Sequence, residues 1–195
     1  MPINRSDILT RALDISLSGI VLVGLSPILL SMALAIKLTS KGPIVYRQER
    51  LGKGKESFVM YKFRTMIENA EPNGPQLAIE NDPRITKIGK FLRRHHLDEL
   101  LQFWNVMKGD MTLIGPRPER DIYITEIEKK FPEYHRIFKV KPGITSPGIV
   151  ECGYASDINH MIERSRYDLA YLDNKDLFRN IDILMKTFKT IIKGS

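Results

Sequence analysis

Asp98 and Glu99 are adjacent carboxylates at the start of a predicted helix, Leu97–Lys108. Helix capping alone would explain them, because the free N–H groups and the dipole of a first turn stabilise carboxylates. Many cations lie nearby in the chain, however: Arg84, Lys87, Lys90, Arg93 and Arg94 before the pair, and Arg117 after it. Carboxylates hold Mg²⁺, and Arg and Lys bind phosphate oxygens. The pattern therefore indicates a site for a metal–diphosphate complex.

Arg117 lies in the segment Gly115-Pro116-Arg117-Pro118. Each proline fixes a backbone angle, so we expect a rigid turn that presents the arginine. An ordinary rigid connector would have the same pattern.

The charge of the chain predicts an anionic partner. A formal net charge of +7 and a pI near 9.5 fit lipid headgroups, phosphorylated small molecules or nucleic acid. No nucleic-acid recognition motif is present, and we expect no nucleic-acid partner. The single cysteine, Cys152, excludes an internal disulfide and suits a reducing compartment.

The elements that must hold this site begin with an apolar segment. Ile15 to Ile36 carries no charged side chain and is interrupted by Ser26-Pro27. About 20 apolar residues suffice to cross a bilayer core, and a helix through proline should bend. Basic residues flank both ends: Arg5, Arg11, Lys37, Lys41 and Arg47. A spanning helix usually has this excess on one side only, so a re-entrant helix and a single kinked spanning helix both remain open.

We predict a mainly helical α+β fold with a membrane anchor over residues 1–40 and a catalytic domain over residues 41–195. The predicted elements are an anchor helix from about Ser6 to Thr39, strands at 44–48 and 58–63 forming a hairpin, a loop at 69–83, and helices near 86–94, 97–108, 119–130, 158–172 and 177–192. The last helix has an apolar stripe, Ile181, Leu184, Phe188, Ile191 and Ile192. Such a basic amphipathic helix can lie in the membrane interface or pack on the core.

Motifs along nearly the whole chain resemble those of one family. They are Tyr61–Met66, Asp82–Arg94, Leu97–Leu100, Gln102–Met111, Leu113–Glu119, Lys141–Thr145 and the region of Tyr167-Asp168-Leu169 with Tyr171. This set of motifs is similar to that of the bacterial sugar transferases, which are monotopic phosphoglycosyl transferases. The length of the chain resembles that of the family's minimal members. The family's re-entrant membrane helix, broken at a Ser-Pro pair, corresponds to Ser26-Pro27 and favours re-entry here.

The resemblance implies a reaction. A UDP-sugar gives sugar-1-phosphate to a polyprenyl (undecaprenyl) phosphate and releases UMP, with Mg²⁺ as cofactor. This step begins a bacterial surface glycan: exopolysaccharide, capsule, O-antigen or glycoprotein. It would place the chain on the cytoplasmic face of the bacterial inner membrane, in contact with membrane lipids, with a homodimer as a candidate assembly.

The resemblance also implies roles for residues. Asp98 corresponds to the family's nucleophile and Glu99 to its partner, which binds Mg²⁺ or handles protons; both carboxylates are candidate metal ligands. Arg93 and Arg117 are the first candidates for phosphate or nucleotide contacts. Arg84, Arg64 and Lys62 rank lower, since each could instead meet lipid headgroups.

Three features bear on these expectations. His95-His96 stands where the family usually has a small polar pair, and we interpret both as surface or packing residues. The segment 146–153 differs from the family's usual sequence, so the identity of the transferred sugar is not predicted. Trp104 is expected in the core. The rival interpretation is a membrane-anchored scaffold that binds anionic lipids without catalysis.

Overall fold

The computed structural model describes residues 5–72, 74–79 and 81–194, which form a mainly helical α+β fold. In chain order, its elements are α1 (Arg5–Gly24), α2 (Ser26–Thr39), β1 (Val45–Leu51), β2 (Ser57–Phe63), α3 (Lys87–Arg94), a 3₁₀ turn (Leu97–Leu101), α4 (Gln102–Lys108), β3 (Thr112–Ile114), α5 (Asp121–Lys130), a second 3₁₀ segment (Pro132–Lys139), β4 (Gly143–Thr145), α6 (Pro147–Cys152), α7 (Ile158–Asp173) and α8 (Leu177–Lys193).

The predicted anchor helix is two helices, α1 and α2, bent by 61°. The Ser26 hydroxyl donates to the Val23 carbonyl over 2.7 Å, and Pro27 lies in the first turn of α2, so the break lies where the Ser-Pro pair predicts it. Within the described ranges, no single helix is both long and apolar enough to cross a membrane, but the bent pair is when taken together. Its outer surface is apolar, with Ile20, Val23, Leu30 and Leu38 exposed.

Helix α1 is attached to the rest of the protein by two polar side chains one turn apart. Arg11 donates to the Val106 and Met107 carbonyls over 2.7 and 3.0 Å, at the end of α4. The buried Asp14 carboxylate accepts from the Thr112 hydroxyl at 2.8 Å and from the Leu113 N–H at 3.1 Å, on β3. We call these contacts the α1 clamp. They connect α1 directly to the two segments that flank the candidate site.

The two sheets differ in how well local sequence predicts them. β1 and β2 form the predicted antiparallel hairpin, from Val45 opposite Phe63 to Leu51 opposite Ser57. β3 and β4 form a parallel pair of three residues each, which was not predicted. Parallel partners are distant in sequence and carry no turn signal between them, so local pattern does not reveal them.

The predicted helix Leu97–Lys108 is also different in detail. It begins as a 3₁₀ turn, and regular α-helix starts only at Gln102. His96, immediately before the turn, has a left-handed backbone with φ 53°. The chain therefore reverses sharply before Asp98, and the carboxylate pair lies on a tight turn rather than on a regular helix.

Two expectations about apolar side chains are tested by burial. Trp104 is 53% exposed, so its prediction as a core residue is wrong; on α4, Val106 is buried instead. The apolar stripe of α8 is largely exposed, with Phe178, on the same helix, 85% exposed. Ile183 packs inward, and the Thr187 and Thr145 hydroxyls lie 2.6 Å apart. Exposed apolar surface of this extent marks an interaction face.

Helix α3 packs against the chain near Thr65 so closely that its glycine has no room for a side chain. A Cβ added at Gly89 would lie 2.0 Å from the Thr65 carbonyl oxygen. We predict that Gly89→Ala lowers the free energy of unfolding by about 1–3 kcal/mol, as expected for overpacking. Urea unfolding in detergent measures it. Gly19→Ala is the control, because nothing lies within 4 Å of its added Cβ; equal effects of the two variants would contradict the prediction.

Candidate active site

The Asp98 and Glu99 side chains are both buried on the 3₁₀ turn, with Asp98 8% exposed. The turn packs against β2, the strand that supplies Lys62. Two neighbouring carboxylates in a buried position repel one another, so cations must compensate for them.

Glu99 is the compensated member of the pair. Its Oε1 accepts from Lys62 Nζ and from an Arg117 Nη, each over 2.6 Å, and its Oε2 accepts from the other Arg117 Nη over 3.2 Å. Burial raises the pKa of Glu99, but Arg117 and Lys62 outweigh it and hold that pKa well below its usual range. Glu99 therefore stays ionised and fixes two cations beside Asp98.

Asp98 is different, because no described residue donates a hydrogen bond to its carboxylate or forms an ion pair with it. Burial, and then repulsion by Glu99, raise its pKa above the ordinary value, while Lys62, Arg93 and Arg117 oppose the rise. Arg93 is held by a 2.8 Å hydrogen bond from its Nε to the Thr65 hydroxyl. A basic, buried carboxylate surrounded by cations has the properties of a nucleophile for an anionic substrate.

The position of Arg117 is set by the backbone around it. The Gly115 N–H donates to the Thr145 carbonyl over 3.1 Å, and the Gly143 N–H donates to the Pro116 carbonyl over 2.9 Å. A Cβ at Gly115 would lie 2.6 Å from the Lys141 carbonyl oxygen, so only glycine permits this approach. The predicted rigid turn is thus also hydrogen-bonded to β4.

Buried ionic groups secure the same turn on its far side. Glu119 forms an ion pair with Arg164 of α7 and lies 3.5 Å from Arg50 of β1. Asp168, also on α7, accepts the Arg117 N–H over 3.3 Å and the Gly148 N–H over 2.9 Å. The turn is therefore connected to both the hairpin and α7.

The candidate phosphate contacts divide into two groups. Lys62, Arg93 and Arg117 surround the carboxylate pair. Arg64 instead donates to the Ser40 carbonyl and hydroxyl over 2.9 and 2.8 Å, at the end of α2. Arg84 pairs with Asp82, at 2.6 Å, and with the Leu77 carbonyl, at 3.0 Å, in the loop before α3. For these two arginines, contact with substrate phosphate remains a prediction.

Three residues of the site have functions that spacing along the chain did not indicate. The sequence places Asp168 only within a motif of the resemblance, predicts a surface or packing position for His96, and gives no signal for Tyr154. The Tyr154 hydroxyl lies 3.1 Å from His96 Nδ1, and Arg117 lies over its ring. α6 and α7 bring Tyr154 to the site, and only tertiary packing reveals that placement.

Asp168 gives a prediction about pH. Burial raises its pKa to about 6, against opposing hydrogen bonds from Gly148 and charge from Arg164. The folded state therefore retains a proton that the unfolded chain, with a carboxyl pKa of about 3.9, has lost. Through this group, the free energy of unfolding is highest below pH 4 and falls as the pH rises to about 6, by up to about 3 kcal/mol.

We expect Asp168→Asn to flatten this pH dependence. Chemical unfolding at steps between pH 4 and 7 measures the slope for each protein. Asp173→Asn, an exposed substitution on the same helix, is the control and should follow the wild type. Parallel curves for wild type and Asp168→Asn would contradict the assignment.

The donor set of the site suits Mg²⁺ shared with a substrate. Among the described residues, no three His, Cys, Asp or Glu side chains lie together as a metal cage. Mg²⁺ commonly uses only one or two carboxylates together with substrate phosphates and water. Asp98 fits such a ligand, since its oxygens have no described protein partner, whereas both Glu99 oxygens already accept from cations.

Comparison with known proteins gives matches along nearly the whole chain. The model of the family described as "Bacterial sugar transferase" matches residues 5–194. A UDP-N-acetylgalactosamine-undecaprenyl-phosphate N-acetylgalactosaminephosphotransferase of Aeromonas hydrophila is 41% identical over 94% of this chain and 44% of its own length. Two UDP-glucose:undecaprenyl-phosphate glucose-1-phosphate transferases also match: that of Escherichia coli K12, 38% identical over 98% of this chain and 41% of its own, and that of Caulobacter vibrioides, 34% identical over 95% and 70%. The chain spans less than half the length of the first two.

Proposed function

The chain belongs to the bacterial sugar transferase family, and we propose that it transfers sugar-1-phosphate from a UDP-sugar to a polyprenyl phosphate through an aspartyl-phosphosugar intermediate. The similarity to undecaprenyl-phosphate sugar phosphotransferases supports this reaction class. The product would begin a bacterial surface glycan.

One observation carries the proposal: Asp98 is buried among Lys62, Arg93 and Arg117 and has no described protein partner, while Glu99 binds two of these cations. A lipid-binding scaffold has no need of a buried, unengaged carboxylate, because it weakens attraction to anionic headgroups. A nucleophile that attacks phosphorus requires both the free oxygen and the cations.

The chemistry proceeds in two displacements at one phosphorus atom. An Asp98 oxygen attacks the sugar-linked β-phosphorus, the bond from that phosphorus to the bridging oxygen breaks, and UMP leaves with the bonding electrons. A phosphate oxygen of the lipid then attacks the same phosphorus, and the Asp98 carboxylate is released. Two steps avoid a direct encounter of two multiply charged anions. The same cations bind the transferred phosphoryl group in both steps.

The side chains have separate roles in this scheme. Arg117 and Lys62 bind the oxygens of the transferred phosphoryl group from a position that Glu99 fixes, and Arg93 approaches from α3. Asp98 would hold Mg²⁺ together with the donor, and the ion would neutralise diphosphate charge and so make UMP a better leaving group. Because Glu99 is already engaged by two cations, we assign it to their positioning.

The bent helix pair supports a membrane location. We propose that α1 and α2 enter one leaflet and return, with the apolar face of α8 at the interface, on the cytoplasmic face of the inner membrane. Exposed Val23, Leu30 and Leu38 on the pair and Phe178 on α8 favour this placement. A long polyprenyl tail then remains in hydrocarbon while its phosphate reaches Asp98.

Nucleotide release tests the reaction. Detergent-solubilised protein is incubated with Mg²⁺, undecaprenyl phosphate and, in turn, UDP-N-acetylgalactosamine, UDP-glucose or UDP-galactose. We expect at least one donor to give a single burst of up to one UMP per enzyme without lipid phosphate, and continued release of UMP when the lipid phosphate is in excess over enzyme. Release of UDP would indicate sugar transfer without phosphate, and release of neither nucleotide would contradict the proposed function.

A further inference from the structure

Tyr154 and His96 lie against the site without touching the reacting carboxylate in any described contact. We propose that Tyr154, supported by His96, is a positioning residue whose ring holds the Arg117 guanidinium in the orientation that pairs with Glu99. This assignment rests on the proposed function, in which Arg117 binds the transferred phosphoryl group.

Three contacts form a continuous stack. The Arg117 Cζ atom lies 4.6 Å from the centroid of the Tyr154 ring, within the range of a cation–π interaction. The Tyr154 and His96 rings lie 5.3 Å apart with an interplanar angle of 17°. The Tyr154 hydroxyl and His96 Nδ1 are 3.1 Å apart, so the two rings are also connected edge to edge by a hydrogen bond.

The orientation of Arg117 has chemical consequences. Its two Nη groups reach different oxygens of Glu99, a fork-to-fork arrangement that only one plane of the guanidinium permits. A ring beneath the guanidinium restricts rotation out of that plane. The remaining donors of Arg117 are then directed at a fixed place, which is what stabilisation of a phosphoryl transition state needs.

The fold brings Tyr154 to Arg117 through a shared anchor. Asp168 binds the backbone N–H of Arg117 and that of Gly148 in the first turn of α6. A Cβ at Gly148 would lie 2.4 Å from the Arg164 carbonyl oxygen, so α6 packs directly on α7. After α6, Gly153 has φ 74°, which turns the chain so that the next residue returns over Arg117.

His96 connects this stack to the nucleophile. Its left-handed backbone begins the turn that carries Asp98, and its ring supports Tyr154. The stack therefore relates the two halves of the site, the Asp98 turn and the Arg117 turn, through side chains that are not themselves substrate ligands. Tyr154 is 43% exposed, so its ring can be replaced without opening the core.

Four variants separate the ring from its hydroxyl and from the backbone. Tyr154→Leu removes the ring, Tyr154→Phe keeps it, and His96→Asn removes the imidazole but retains a residue that tolerates the left-handed backbone. The fourth combines His96→Asn with Tyr154→Leu. His95→Asn is the matched control, because the His95 ring packs on Phe91 and its Nδ1 lies 3.1 Å from the Ile191 carbonyl oxygen.

Kinetics of the phosphosugar adduct, measured by quenched flow and mass spectrometry, give the main readout. We expect Tyr154→Leu to slow adduct formation about 5–30-fold at full amplitude, the size of a partly desolvated cation–π contact. Tyr154→Phe should restore the rate to within about 3-fold of wild type. His96→Asn should fall between them, and the double variant should match Tyr154→Leu, because both changes disrupt one stack.

Several results would overturn the proposal: a wild-type rate in Tyr154→Leu, a Tyr154→Phe variant as slow as Tyr154→Leu, or a reduced amplitude at unchanged rate, which signifies lost fold only. A slowing by His95→Asn equal to that by His96→Asn would also overturn it.

A spectroscopic measurement distinguishes this proposal from the proposed function. In ¹⁵N-arginine-labelled protein, the Arg117 side-chain N–H signal, assigned by its loss in Arg117→Lys, should be shifted upfield by the ring current. The shift should persist in Tyr154→Phe and vanish in Tyr154→Leu; an unshifted wild-type signal would overturn the stacking. If the shift is present but the wild type releases no UMP, the reaction is wrong and the contact stands.

Discussion

Replacing Asp98 with Asn should lower turnover by about a thousandfold or more and eliminate the covalent adduct. An amide has no anionic oxygen to attack phosphorus, whereas every cation around it remains in place. The assay uses UDP-sugar labelled in the β-phosphate, followed by quenching and mass spectrometry of the intact chain. Label should appear on the wild type with donor alone and be absent from the variant.

The same variant should fold normally. Burial and repulsion by Glu99 disfavour the ionised form of Asp98, so a neutral amide should leave the unfolding midpoint unchanged or raise it. Membrane association should also be retained. Asp121→Asn, at the exposed start of α5, is the matched control and should keep full activity. An Asp98→Asn variant with wild-type turnover would remove the nucleophile assignment, and lipid product without label on the wild-type protein would favour a single displacement.

Removing Arg117 should damage both stability and activity. Arg117→Gln leaves the buried Glu99 carboxylate with Lys62 as its remaining ion-pair partner. Loss of one member of a buried ion pair commonly costs about 3–5 kcal/mol, because the other charge is left uncompensated. Activity should fall about 100-fold or more, since a preorganised donor to the phosphoryl group is lost. Urea unfolding and UMP release measure the two effects.

The two effects can be separated in a double variant. Glu99→Gln combined with Arg117→Gln removes both charges of this pair but leaves Lys62 without its carboxylate partner, so it should recover only part of the lost stability and none of the activity. Arg136→Gln is the control, because Arg136 pairs with the half-exposed Asp173 and such a pair contributes only about 0–1 kcal/mol. If Arg117→Gln had the same free energy of unfolding as Arg136→Gln, the buried pair would not contribute the stability assigned to it.

The parts of the fold that depend on local chemistry were predictable. The Ser-Pro break, the β1–β2 hairpin and the terminal helices follow from proline, glycine and apolar period. The tight turn before Asp98 was not predicted, because a left-handed histidine has no sequence signature. The apolar neighbours of Trp104 predict a core position for it, but α4 turns that face outward and buries Val106.

The site divides in the same way. The sequence identifies Asp98 and Glu99 as candidate site residues because they are adjacent carboxylates, and Arg117 because it is a cation between two prolines. Glu99 pairs with Lys62 and Arg117, while Asp98 has no described partner. These pairings depend on residues that are far apart in the chain, so the sequence does not predict them. Asp168 and Tyr154 belong to the site only because α6 and α7 fold back over the Arg117 turn.

The α1 clamp has a consequence for the integrity of the site. Arg11 donates hydrogen bonds to α4, just beyond the Asp98 turn, and Asp14 accepts hydrogen bonds from β3, just before the Arg117 turn. Both contacts are hydrogen bonds within the chain, so helix α1 braces the Asp98 turn and the Arg117 turn against each other. Removing α1 would take away this brace, so we expect a truncated protein to hold the two parts of the site less rigidly.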